Sequence, residues 1–244
     1  MSNLLVLAFL FFIGSILGWV LELFFRRYFS DVNKEKKWIN PGFCVGPYLP
    51  IYGFGLCILY LLARLKNYIP ISTVIFKDII MILIMGISLT ILEYIAGYIL
   101  LKFMNLRLWD YSHQKWNING IICLTFTIDW TLLSAIYYFL IDPYILDALN
   151  WLANNLAFSF FIGMFFGVFI IDVVHSSELI VKIRQNAIEN NIVVRIERLK
   201  KQIIDFHVSH NKKYNFFKPL KSDKSLHEYI NELKEEFEKK NNKK

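Results

Sequence analysis

The sequence predicts an all-α fold: a polytopic membrane helix bundle of about five transmembrane helices, with a parallel two-helix internal repeat and a cytoplasmic helical tail. Three observations predict it. First, 56% of the 244 residues are apolar, against about 45–50% in a soluble globular domain. The excess gathers in runs of roughly 20 residues, the length that crosses about 30 Å of hydrocarbon. Second, charge is segregated. From Lys182 onward 16 Lys/Arg stand against 9 Asp/Glu, a surplus of seven, whereas before it 11 of each cancel. Third, two stretches share one pattern: an apolar run closed by a glutamate, a basic loop, then Trp-x-x-x-Gly opening the next apolar run.

Each element follows in order. The first span is expected over residues 4–25; no Lys or Arg precedes it and no A-x-A site follows, so it reads as a retained helix rather than a cleaved signal. The second is expected over 43–65, with Pro47 and Pro50 in its first turns, and the third, the longest, over 73–103. The fourth is expected over 118–141 and the fifth over 151–174, running on into the tail. The chain therefore divides into a transmembrane helical domain, 1–181, and a basic tail, 182–244. In the tail, Ile188, Ile192, Val193, Ile196, Leu199, Ile203 and Phe206 recur at helical spacing, which predicts one amphipathic helix over 181–210. A second short helix is expected over 225–239, where Ser225 and Glu228 make a capping box.

Basic residues orient the bundle. Arg26, Arg27, Lys34, Lys36 and Lys37 lie in the first loop and Lys102, Arg107 and Lys115 in the third. The second loop carries fewer, and none occurs over 142–150. Loops one and three and the tail are expected in the cytoplasm and the N-terminus outside, as five spans of a plasma-membrane protein require. The basic tail reads as a solvated appendage or as a surface for anionic lipid heads or a partner; nucleic acid is not expected. Cys44, Cys57 and Cys123 are scattered, with no CxxC and no metal-ligand spacing, so neither a disulfide framework nor a metal or cofactor site is predicted.

The repeat sets Glu22, with Trp38 and Gly42, beside Glu93, with Trp116 and Gly120; Asn40 and Asn119 fall inside the two motifs. Asp172 near the inner end of the fifth span suggests a remnant third copy. Ionisable residues inside a membrane are costly and mark function by default. Glu93 should lie about two turns inside the membrane edge, needing a partner or a wet cavity. Glu22 has Arg26 four residues on, a favourable helix pair. The candidate polar site at the cytoplasmic side is therefore Glu22, Arg26, Asn40, Glu93, Trp109, Asp110, Tyr111, Asn119 and Asp172. The competing reading is locally paired interfacial charge with an aromatic belt of Trp and Tyr. Asp129, in mid-span beside Trp130, is expected to face the bundle interior, in a site or in a structural hydrogen bond. Gly14 with Gly18, and Gly163 with Gly167, form Gly-x-x-x-Gly pairs that let helices approach closely. Neither a P-loop, a G-x-S-x-G elbow nor an H-E-x-x-H motif occurs, so no catalytic residue is assigned.

The motifs together carry a resemblance. Gly18-Trp19-Val20-Leu21-Glu22 is followed by Asn40-Pro41-Gly42-Phe43-Cys44-Val45-Gly46-Pro47 and Pro50-Ile51-Tyr52-Gly53-Phe54-Gly55. Then come Leu92-Glu93-Tyr94 with Gly97, Trp109-Asp110-Tyr111-Ser112, and Asn117-Ile118-Asn119-Gly120 with Cys123. Over about residues 1–180 this resembles the CmpB-like family of bacterial membrane proteins, classed as type IV ABC-transporter permeases. Asp129 departs from the pattern, where a neutral residue is expected. The resemblance implies a permease subunit that borrows a separate ATP-binding subunit. Two other readings stay open: a membrane-embedded enzyme acting on a lipid or isoprenoid head group, with Glu93, Asp110 and Tyr111 as its polar residues, and a non-catalytic membrane scaffold that recruits a partner through its tail. Five helices make a thin wall for a pathway, which favours a homo-oligomer or a complex.

Overall fold

The computed structural model of the chain describes residues 2–30, 33–70, 73–210, 212, 214–222 and 224–241. Helix α1 covers Asn3–Phe29, α2 Pro50–Arg64, α3 Val74–Met104, α4 Leu124–Ile136, α5 Asp142–Asn154, α6 Ser159–Glu189, α7 Ile196–Ser209 and α8 Leu226–Asn241. Two two-residue strands, β1 Leu106–Arg107 and β2 Val194–Arg195, pair in parallel, with Leu106 opposite Val194 and Arg107 opposite Arg195. Among the described residues, four stretches are long and apolar enough to cross a membrane: Asn3–Phe29, Val74–Met104, Leu124–Asn154 and Leu156–Glu189. The protein is a multi-pass membrane helix bundle.

The second span differs from expectation. The helix begins at Pro50 rather than residue 43 and is 15 residues long, about 22 Å at 1.5 Å per residue. Residues 42–47 form bends instead. Pro47 and Pro50 lack amides and bias the residues before them away from helix.

The fourth and fifth spans also move. The fourth does not stop at residue 141: α4 passes through a π-helical turn, Tyr137–Ile141, into α5. Pro143 has no amide to offer the preceding turn, and the amide of Asp142 reaches back to the carbonyl of Tyr137, five residues away. Ile145, Leu149 and Leu152 on α5 are buried, which explains why the helix continues. Trp151 thus belongs to α5, and the last span starts at Ser159.

The single amphipathic tail helix is broken as well. Asn191 takes a positive φ of 52° and ends the helical run that precedes it, after which β2 leads into α7. At α8 half of the capping box is present: Ser225 Oγ accepts from the amide of Glu228 at 3.3 Å, while the Glu228 carboxylate accepts from the Ser225 hydroxyl at 2.8 Å rather than from its backbone amide.

The chain clusters into two compact units. One comprises Met1–Gly18, Tyr48–Ala96 and Tyr111–Phe169, the other Trp19–Pro47, Gly97–Asp110 and Ile170–Lys244. The core of the first joins Phe9 and Leu10 of α1, Leu59 of α2, Met81, Met85 and Leu89 of α3, Tyr137, and the buried stripe of α5. The core of the second joins Leu106 of β1, Ile180 and Ile183 of α6, Leu199 and Ile203 of α7, and Tyr229, Ile230 and Leu233 of α8.

Candidate functional site

Glu93 lies on α3, where its neighbours one turn earlier, Leu89 and Thr90, are buried with it. The carboxylate is only 4% exposed. Its Oε1 accepts from the Tyr111 hydroxyl at 3.1 Å and its Oε2 from the Trp130 indole at 2.9 Å. Each donor is fixed in turn. The Tyr111 amide donates to the carbonyl of Gly120 at 2.8 Å, and its ring stacks on Phe126 with centroids 4.2 Å apart. The Trp130 ring lies 5.8 Å from that of Tyr52 on α2. Beside them Asn119 donates to the Tyr94 hydroxyl at 3.1 Å. Asn119 and Gly120 take φ of 54° and 66°, a left-handed pair for which Asn and Gly are the suited residues. A carboxylate held by two oriented donors keeps one rotamer, which is what a binding or proton-handling group requires.

The second constellation is built on the non-helical segment before α2. Asn40 is fully buried. Its Oδ1 accepts from the Trp19 indole at 3.0 Å and the Gly42 amide at 3.2 Å, and its Nδ2 donates to the carbonyl of Cys44 at 3.2 Å. Asp172 on α6 accepts from the amides of Val45 at 3.0 Å and Gly46 at 2.7 Å, and from the hydroxyl of Ser176 at 2.9 Å. From α7 the amine of Lys200, itself 1% exposed, donates to the carbonyls of Asn40 at 2.8 Å, Gly42 at 2.6 Å and Pro41 at 3.4 Å. Amides and carbonyls that a helix would have satisfied internally are thus taken by a carboxylate, an amide side chain and an amine, as buried backbone demands. Burial pushes the Lys200 amine down to about 7, with Arg26 adding to the effect and Glu197 opposing it. Glu22 and Arg26 form their i,i+4 pair at 2.8 Å, and Glu197 lies 3.9 Å from Arg26.

A family profile described as "Putative ABC-transporter type IV" matches residues 9–177, well over half of the chain and the whole of both repeated motifs. The chain belongs to this family. Comparison with curated proteins and with solved structures returned no match.

Within this ABC-transporter type IV chain the residues singled out in the sequence fall into two groups. Glu93, Tyr111 and Asn119 come together in one compact unit, and Glu22, Arg26, Asn40 and Asp172 in the other. Asp110 pairs with Arg107 at 3.0 Å and Arg195 at 2.6 Å, bridging two guanidinium groups that the strand register sets side by side. Trp109 is half-buried. The two halves of the repeat are not conformational copies: Asn40 is buried with its side chain spent on its own loop, whereas Asn119 is exposed and turned to Tyr94.

Two expectations are corrected. Asp129 does not face the interior; it lies exposed on α4 between exposed Ile128 and Leu132, while the adjacent Trp130 reaches Glu93. The glycine pairs also part company. A Cβ at Gly14 would fall 2.8 Å from Leu56 Cβ, and one at Gly18 2.1 Å from Tyr52 Cβ, so α1 and α2 touch through bare backbone. At Gly163 and Gly167 a Cβ would meet nothing within 4 Å, so neither packs on a neighbour among the described residues. Lys200, Trp130 and Trp19 were missed in the sequence. The tryptophans had a signal, Trp19 beside Gly18 and Trp130 beside Asp129; Lys200 had none, since its partners lie about 160 residues away.

Proposed function

We propose that this chain is the permease-like subunit of a bacterial transporter, set in the plasma membrane with its N-terminus outside and its tail in the cytoplasm, and driven by a separate ATP-binding subunit. The observation that carries the reading is Glu93: a carboxylate in the middle of an apolar span, buried and held by two donors from the following loop and α4. Membrane proteins keep such a group where a polar path or substrate must be met. The sequence has no P-loop, so the energy for pumping comes from another chain. Exposed Lys182, Lys212, Lys218 and Lys221 support contact between the tail and anionic lipid. The apolar face of α7 is spent inside the protein, against α6 and α8.

The test is a pull-down of the tagged chain in gentle detergent, with mass spectrometry and an ATPase assay on what accompanies it. A stoichiometric P-loop ATPase stimulated by the membrane subunit is the expected result. A clean preparation with no nucleotide-binding protein overturns the reading and turns attention to lipid-linked substrates, with Glu93→Gln as the control.

A further inference from the structure

Helix α4 leaves one ordered face uncovered. Thr125, Asp129, Leu132 and Ile136 are all exposed and follow one another at spacings of four, three and four residues within Leu124–Ile136. That is the a/d spacing of a seam that packs on another helix. Lipid alone is a poor neighbour for it. Asp129 lies five residues into α4, within the span Leu124–Asn154 and about 8 Å along the axis. A carboxylate facing hydrocarbon is costly, and aspartate lacks the long stem by which lysine and arginine return a charge to water. Neither Asp129 nor Thr125 makes a side-chain hydrogen bond or ion pair among the described residues. The other threonines of α4 differ: Thr127 and Thr131 donate to carbonyls one turn back, at 3.1 and 2.8 Å. An acceptor and a donor one turn apart thus face outward together, in a stripe otherwise made of Ile128, Leu132 and Ile136.

We propose that this face of α4 is the interface between two copies of the chain, related by a two-fold axis along the membrane normal. Copies inserted with the same topology run their α4 helices parallel. A two-fold axis then sets each seam residue against its own counterpart and against the residue one turn away. Thr125 of each copy lies beside Asp129 of the other, a hydroxyl donor beside a carboxylate acceptor, and the contact is made twice. The seam supplies both halves of the bond, which is why a second copy fits it better than an unrelated chain. Leu132 and Ile136 continue the contact by packing. A polar residue at one seam position fixes the register of paired helices at some cost in stability, and hydrogen bonds between membrane helices add to association driven by packing. The acid that faces outward in a single copy is enclosed in the pair.

The test uses the purified full chain in lipid bilayers. On oxidation Leu132→Cys should give a disulfide-linked dimer. The unmodified chain, whose three cysteines are buried or half-buried, should not, and neither should Val168→Cys on the exposed face of α6. Association is measured separately, by energy transfer between two labelled pools of the chain as lipid dilutes them. Thr125→Val removes both hydroxyls at nearly constant shape, and Asp129→Leu removes both acceptors; each should weaken the dimer by about tenfold. Asp129→Asn keeps an acceptor and should weaken it less. Both positions are exposed on the single chain, so the variants should fold, and an unchanged thermal midpoint in detergent verifies it. A chain that stays monomeric at every dilution, or cross-linking at residue 168 equal to that at residue 132, overturns the proposal. So does Asp129→Leu raising the midpoint while association is unchanged, which would show that the face meets lipid.

Discussion

Gly18 and Gly163 occupy equivalent places in two Gly-x-x-x-Gly pairs, yet the structure gives them opposite consequences. At Gly18 a methyl group would overlap the Tyr52 side chain, whereas at Gly163 it would meet open space. Gly18→Ala should therefore lower the thermal midpoint in detergent, at a cost of about 1–3 kcal/mol for overpacking, and Gly163→Ala should leave it unchanged. Equal shifts in the two variants would contradict the packing assigned to α1 and α2. At Glu93 the expectation separates charge from shape. Glu93→Gln keeps an acceptor for one of the two donors, so the protein should accumulate normally and lose its phenotype. Tyr111→Phe keeps the carboxylate but removes a donor, and should destabilise by about 1–3 kcal/mol, read as a lower midpoint. Glu93 stood out in the sequence because one carboxylate in an apolar run is conspicuous. Of its donors, Tyr111 was itself marked in the third loop, whereas Trp130 was only adjacent to the marked Asp129, since a hydrogen bond between residues 37 apart depends on helix packing.

Long spans were legible because burial in lipid demands apolar composition over a whole crossing, a signal summed over some 20 residues. Accordingly α1 and α3 fall within a few residues of their expected bounds. The ends that moved are those set by single residues. Pro143 was absorbed by a wide turn rather than ending the helix. Asn191 adopted a left-handed conformation in the middle of an apparent amphipathic stripe. The stripe was right only in part: Ile196, Leu199 and Ile203 are buried, in a separate helix covered by α8, whereas Ile188 and Val193 are exposed. This makes a prediction about α8. Tyr229, Ile230 and Leu233 are almost wholly buried, and each such side chain is worth about 1.5–3 kcal/mol. Ending the chain at residue 225 should therefore lower the folded yield and the thermal midpoint. A truncated protein with an unchanged midpoint would mean that α8 does not cover α7 in the membrane-bound protein. Any phenotype of tail deletion has to be read against that loss.

The sidedness of the molecule turns on whether the chain crosses at α2. The four long stretches alone would return the C-terminus to the side of the N-terminus; a fifth crossing separates them. At 15 residues α2 is short for roughly 30 Å of hydrocarbon, and non-helical backbone at membrane depth is tolerated only where its polar groups are satisfied inside protein. The segment leading into α2 meets that condition, because Asp172 takes the amides of Val45 and Gly46, and the amide of Leu49 donates to the carbonyl of Ser15 at 2.9 Å. A bent lead-in plus a short helix can then complete a crossing that neither would make alone. The distribution of charge agrees: the basic loops around Arg26–Lys37 and Lys102–Lys115 fall on one side only if α2 crosses. Reporter fusions should place the N-terminus and residue 155 outside and the loops near residues 36 and 113, with the tail, inside. Both termini on one side would mean that α2 dips into the membrane and returns.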